Sequence, residues 1–336
     1  MGTRRQLAFL ALAAVLVALP FCSSKYLNYL FTLSGVYIIA AVGLNILFGF
    51  TGLISIANAS FLGIGAYTAA LLMTRVTAVP YPLVILASGS VAAVFGLAIG
   101  VPALRLSGHY LAMVTMGFAF VMDEVFLHWK SVTQGALGIQ VPKAQVLGFV
   151  FGGPTSKYFL VLFCATVMVV LARNILKTKT GRAFVAIRDH EIAAETMGID
   201  LVWYKTLSFA ISAFFGGVAG ALYAPVVSYI DPSSFNFLTS TLLLEMVIVG
   251  GTGSILGSVL GPLFLTFLPE AVGKDYQLYL ILIQGVVLML VLIFMPQGVG
   301  NAIQKVLARR KPKEKEFAVS LLTFGEQQPR EEIAHE

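Results

Sequence analysis

Charge is scarce in this chain. Only 11% of its 336 residues are Asp, Glu, Lys or Arg and 58% are hydrophobic, whereas a soluble domain carries about a quarter charged residues. That excludes a water-soluble enzyme, and it excludes a disordered chain, which would be poor in the apolar residues that saturate this one. Cysteine is nearly missing as well: Cys22 and Cys164 have no CxxC spacing and no histidine beside them, so neither a disulfide framework nor a zinc site is expected. Nor is there a G-x-x-x-x-G-K-[ST] phosphate loop or an HExxH pair. No cofactor, metal or catalytic residue is expected, and any ATP hydrolysis that drives this protein must happen on another subunit.

What is abundant is apolar sequence in runs of bilayer length, about 20 residues each. The clear runs are Leu7–Phe21, Leu30–Phe48, Leu83–Pro102, Tyr110–His128, Tyr158–Leu171, Leu207–Ala224 and Leu278–Met295. Gly49–Thr74 adds one span after a polar interruption, and Leu238–Leu268 adds two short ones meeting near Gly250–Ser254. The expected fold is all-α, a polytopic membrane protein with about ten transmembrane helices, some broken or short.

The net charge of +6 is a topology signal and not a nucleic-acid surface. Six of the 22 Lys and Arg fall in residues 173–205 and seven beyond Asn301, and basic loops stay cytoplasmic. With Arg4 and Arg5 inside, ten crossings return both clusters to the cytoplasm. Both termini are therefore expected inside, in a bacterial inner membrane, with residues 1–304 as the transmembrane domain, a cytoplasmic loop at about 173–205 and a polar tail at 305–336. Leu7–Leu19 after the two arginines could be a signal peptide, but no A-x-A site follows and a retained first span is expected.

Small residues four apart, which let lipid-embedded helices approach closely, form rows at Ser212-Gly216-Gly220-Ala224, at Gly253-Gly257-Gly261 and at Ala92-Gly96-Gly100. Two stretches are polar as well as glycine-rich: 49–60, with Thr51, Ser55, Asn58 and Ser60, and Gly250–Ser254, with Thr252 and Ser254. Irregular backbone at membrane depth survives only inside protein or beside a water-filled cavity, and paired breaks of this kind point to a substrate pathway. Tight helix turns without substrate remain the alternative. Asn45, central in its span, is a further candidate for the pathway. Glu245 is the deepest ionisable group, flanked by apolar residues on both sides, so it must face the bundle interior, a cavity or a partner, or be protonated. Both a functional group and a buried structural hydrogen bond fit it, and an ion-coupled secondary transporter with Glu245 as the ion site is the rival reading.

The basic loop holds Lys179-Thr-Gly-Arg-Ala-Phe-Val-Ala-Ile-Arg-Asp-His-Glu-Ile-Ala-Ala-Glu-Thr-Met-Gly198, read as an amphipathic helix capped by Thr180 and ended by Gly198, with Asp189 as an alternative second start. On one continuous helix Arg188, Glu191 and Glu195 make a charged stripe, which Phe184 interrupts.

Together with Gly43–Ile56, Phe61–Leu71 and Val249–Ser254, the stretches Gly181–Arg188 and Glu191–Ile199 resemble the permease subunits of ABC importers of the branched-chain amino-acid (LivM-like) type. The resemblance covers about residues 35 to 300. It implies a second homologous permease subunit, two ABC ATPases, an extracytoplasmic solute-binding protein and branched-chain or related small amino acids as substrate. It also implies that the loop docks into the ATPase through an E-A-A-x-x-x-G pattern, to which Ala193, Ala194 and Gly198 conform while Ile192 takes the Glu position and Glu191 precedes it. Gly181, Arg182 and Arg188 belong to the same docking segment.

Overall fold

Capping side chains set where four spans begin. Ser24 Oγ accepts from Leu27 N at 3.3 Å, Asp200 Oδ1 from Trp203 N at 3.0 Å, Asn236 Oδ1 from Thr239 N at 3.0 Å and Ser254 Oγ from Gly257 N at 3.2 Å. Each fills a donor that a helix start leaves open. The computed structural model describes residues 16–21, 23–76, 79–103, 109–146, 149–273, 279–295, 298 and 300. In chain order its main helices are α1 (Lys25–Asn45), prolonged by a π turn at Ile46–Phe50, α2 (Asn58–Arg75), α3 (Tyr81–Ala103), α4 (His109–His128), α5 (Pro154–Lys177), α6 (Lys179–Asp189), α7 (Glu191–Thr196), α8 (Leu201–Val227), α9 (Phe237–Gly250), α10 (Ile255–Val272) and α11 (Leu280–Phe294).

Nine of the ten expected apolar segments are thus helices, and the tenth, Leu7–Phe21, reaches the described residues only at 16–21, which are helical. Seven stretches among the described residues are long and apolar enough to cross a bilayer. Of the other two, α2 carries Asn58, Ser60 and Arg75, and α11 has only 15 residues. The expected tail at 305–336 and the arginines at 4 and 5 lie outside the described residues.

Helix α8 is the central post. Its glycines let neighbouring backbones close on it from two sides: a Cβ on Gly220 would collide with the backbone of Leu62 and Ala66 in α2, and one on Gly217 would stand 2.6 Å from Ser88 O in α3. The Ala92-Gly96-Gly100 row meets α8 through Ala213 and Thr206, and the Gly253-Gly257-Gly261 row packs α10 on Met246 and Gly250 of α9. All three small-residue rows are therefore helix contacts. Helices α1 and α8 are mostly buried, whereas α3, α4 and α5 show outer apolar faces and α11 buries no residue.

The connections sort into two opposite ends, as an up-and-down bundle requires. At one end β1 (Ile139–Gln140) pairs antiparallel with a second short strand, Tyr229–Ile230. At that end too Arg75 Nη2 donates to Ser131 O at 2.8 Å, and Lys157 Nζ to Ser228 Oγ at 3.1 Å. At the other end α6 lies against the turns that follow α1 and α9.

The loop between α5 and α8 takes the two-helix form, one of the two expected, with the second start at Glu191 and not Asp189. Thr178, not Thr180, precedes α6, and the chain turns extended at His190 (φ −155°, ψ 100°) before α7, which Gly198 ends at φ +83°. Two packing contacts account for the break. Phe184 is fully buried, edge-on to Tyr204 at 6.3 Å between centroids. Glu191, at the start of α7, pairs with Lys205 of α8, so the expected stripe of Arg188, Glu191 and Glu195 does not form along one helix.

Candidate functional site

The two glycine-broken stretches meet. The π turn leaves the Ile46 carbonyl to a side chain, and Thr51 Oγ1 donates to it at 2.9 Å before Gly52 turns the chain at φ +78°. Asn45, 1% exposed, then bridges to the second break. Its Nδ2 donates to Ser254 O at 3.0 Å and to Ser258 Oγ at 2.6 Å, and its Oδ1 accepts from Gly253 N at 2.9 Å. A Cβ on Gly49 would collide with Asn45 Oδ1 and Gly253 N, so only glycine lets the turns close to this distance.

A third element reaches the junction from α6. Arg188 Nη1 donates to Gly49 O at 3.0 Å, while Nε and Nη2 hold Asp189 Oδ1 at 3.0 and 2.8 Å. The Arg188 stem lies over Gly52, and a Cβ on Gly253 would stand 3.2 Å from Nη1. One guanidinium therefore touches both breaks, and the loop helix cannot move without pulling on the π turn or releasing it. Thr252 is exposed in the turn beside this contact, and Ser254 caps α10.

A second polar cluster lies deeper, where residues 52–57 run without helix into the bundle before α2 begins. Ser55 Oγ accepts from Ala57 N at 3.3 Å, Asn58 Nδ2 donates to Ser55 O at 3.3 Å, and Asn58 Oδ1 accepts from Ser212 Oγ at 3.3 Å. Thr115 and Ser240 take the N–H groups of Ile56 and Ala59, both at 3.1 Å. Neighbouring helices thus satisfy an irregular backbone at membrane depth. Ser60 is buried, and its Oγ has no hydrogen-bond partner among the described residues. Asn45, Thr51, Ser55, Asn58 and Ser60 are all buried in this conformation, and the first four hold the breaks through their hydrogen bonds.

Glu245 belongs to neither cluster. It lies on the side of α9 opposite Leu243 and Gly250 and is partly buried, and its Oε2 is shielded from solvent without a hydrogen-bond partner among the described residues. Open to lipid, such a carboxylate would cost about 2.5–3.5 kcal/mol on insertion scales.

In the loop, Gly181 is buried against the backbone of Leu176, Arg182 is exposed with Nη1 on Lys177 O at 3.4 Å, and Ala194 is buried against the chain's own body. Only Ala193 of the two alanines faces outward, beside Ile192 (79% exposed) and Met197 (83%). Glu191 spends its charge inward on Lys205, whose side chain is 6% exposed. Sequence reasoning missed Lys205 and Ser258, although a serine one turn after Ser254 on the same helix face was a usable signal. A groove of about 700 Å³ between α5 and α8, lined by Val170, Asn174, Thr178, Leu207 and Ile211 among others, shares no residue with either cluster.

The family model described as branched-chain amino acid transport system, permease component, matches residues 26–296. The high-affinity branched-chain amino acid transport system permease protein LivM of Salmonella typhimurium is 33% identical over 319 residues, covering 88% of this chain and 75% of that protein. The protein of the same name from Escherichia coli K12 is equally similar. The permease protein LivH of that strain is 25% identical over 285 residues, covering 80% of this chain and 92% of its own. No solved structure gives a significant match.

Proposed function

The chain belongs to the family of branched-chain amino-acid transport-system permease components, and on that premise we propose that it forms half of a membrane pathway for branched-chain amino acids. A second homologous permease supplies the other half, two ABC ATPases drive the pair, and a solute-binding protein delivers substrate from outside. The α6–α7 end is cytoplasmic, both termini lie on that side, and the membrane is a bacterial inner membrane. What supports this orientation is the clustering of basic residues at 173–205 and beyond Asn301. With the native cysteines replaced, Arg182→Cys should be labelled by an impermeant thiol reagent only from the cytoplasmic side, and Gln140→Cys only from outside. Labelling of both from one face would sink the topology.

The observation that carries an ATP-driven reading is the seat of Arg188. The outward face of α7, with Ile192, Ala193 and Met197, is the surface offered to the ATPase, and α6 beside it delivers Arg188 to the junction of the two breaks. A ligand shifts a conformational equilibrium only through contacts that differ between the states. ATP binding supplies that difference by moving the loop, and the Arg188–Gly49 bond passes it to α1. In the reconstituted importer, Arg188→Ala should let the ATPases hydrolyse ATP while amino-acid uptake falls at least tenfold. Uptake at the wild-type rate would remove Arg188 from the coupling path.

A further inference from the structure

Helix α9 has two unlike faces. Ser240, Leu243, Met246, Val247 and Gly250 are buried against the bundle, whereas Leu238, Leu242, Glu245 and Ile248 lie on the opposite side and stay partly or fully uncovered. Glu245 is eight residues from the start of the helix and five from its end, about 12 Å and 7.5 Å along the axis, so it cannot reach water by lying at a helix terminus. None of the ion pairs among the described residues includes it, and its Oε2 lacks a hydrogen-bond partner among them. A carboxyl placed so must face a cavity or protein and meet a cation there, or else be protonated.

We propose that Glu245 is the subsite for the ammonium group of the amino acid in transit. The proposal rests on the permease reading and goes beyond it by assigning one atom group of the substrate to one side chain. A carboxylate is an acceptor with no donors, and a primary ammonium carries three donors, so the two are complementary and their hydrogen bonds are charge-assisted. Leu238, Leu242 and Ile248 flank the carboxylate on the same, partly covered side of the helix. A branched aliphatic side chain finds apolar contact there while its ammonium group is held. A solute without the positive group gains nothing from Glu245, so this face discriminates zwitterionic amino acids from neutral apolar solutes.

The test uses the assembled importer, with its ATPases and solute-binding protein, in proteoliposomes and with L-leucine as the probe. Glu245→Gln has the shape of the protonated acid without the negative charge. It should lower uptake at least tenfold while the subunits co-purify and melt as wild type does, and Glu245→Asp should recover part of the loss. Wild-type uptake by Glu245→Gln would overturn the proposal in favour of a neutral hydrogen-bonding role. Loss of co-purification would overturn it in favour of a cation on the neighbouring subunit. A wild-type importer that moves no L-leucine would instead refute the substrate reading beneath the proposal, and that result is visible before any variant is made.

Discussion

Gly220→Leu is expected to abolish the folded permease. At this position α8 lies directly on the backbone of α2, and a Cβ would stand 2.6 Å from Ala66 N and closer still to Leu62 O. Those are backbone atoms, which no rotamer change can move aside. One turn earlier Gly217 is held against Ser88 and Ala92 of α3 and against Gly65 of α2, so α2 and α3 both close on the same stretch of α8 and leave it no slack. Lipid tails are as apolar as leucine, so helices in a bilayer gain little from excluding water and depend on this close approach. Overpacking a soluble core costs about 1–3 kcal/mol, and forcing two backbones apart along a whole helix contact should cost more. The readouts are the yield of monodisperse protein in detergent and its thermal unfolding midpoint. Gly117→Leu is the control, because a Cβ there meets nothing within 4 Å. Gly220→Leu protein that purifies and melts like the control would refute the central role assigned to α8.

The difference between those two glycines marks what the sequence could and could not disclose. Gly216 and Gly220 stand in a four-residue row, and the period alone identified a contact face, whereas Gly117 belongs to no such row. The period did not say which helix fills the face, because that depends on segments some 150 residues away. The two polar breaks were legible for the same local reason, since glycines and hydroxyls interrupt long apolar runs. Their meeting was not, because the Asn45 bonds span 208 to 213 residues. In the loop, local reasoning left one helix or two open, and two exist. The determinants of the break, Tyr204 against Phe184 and Lys205 paired with Glu191, sit on the next helix, outside the window in which helical periodicity is read. The burial of Ala194, which seats α7 on the body of its own chain, was hidden for the same reason.

Asn45→Leu is expected to unfasten the two breaks from each other and to stop transport. Leucine fills a similar volume but takes away the acceptor of Gly253 N and the donor to Ser254 O and Ser258 Oγ. Ser254 O and Ser258 Oγ keep each other at 3.2 Å, so the lasting damage falls on the Gly253 N–H. Leaving a buried donor unpaired costs about 1–3 kcal/mol, and the two other lost bonds add roughly 1 kcal/mol each. Asn45→Asp separates this account from one of size. It retains an acceptor for Gly253 but sets a second oxygen against Ser254 O and adds a buried charge, so it should be at least as damaging as leucine. Both variants should melt earlier than wild type in detergent. Both should also lose most uptake in the reconstituted importer, because Gly49, the point at which Arg188 grips α1, is then no longer fixed to the turn between α9 and α10. A leucine variant with unchanged melting and unchanged uptake would mean that the two breaks move independently, and the Arg188 contact would then have only α1 to act on.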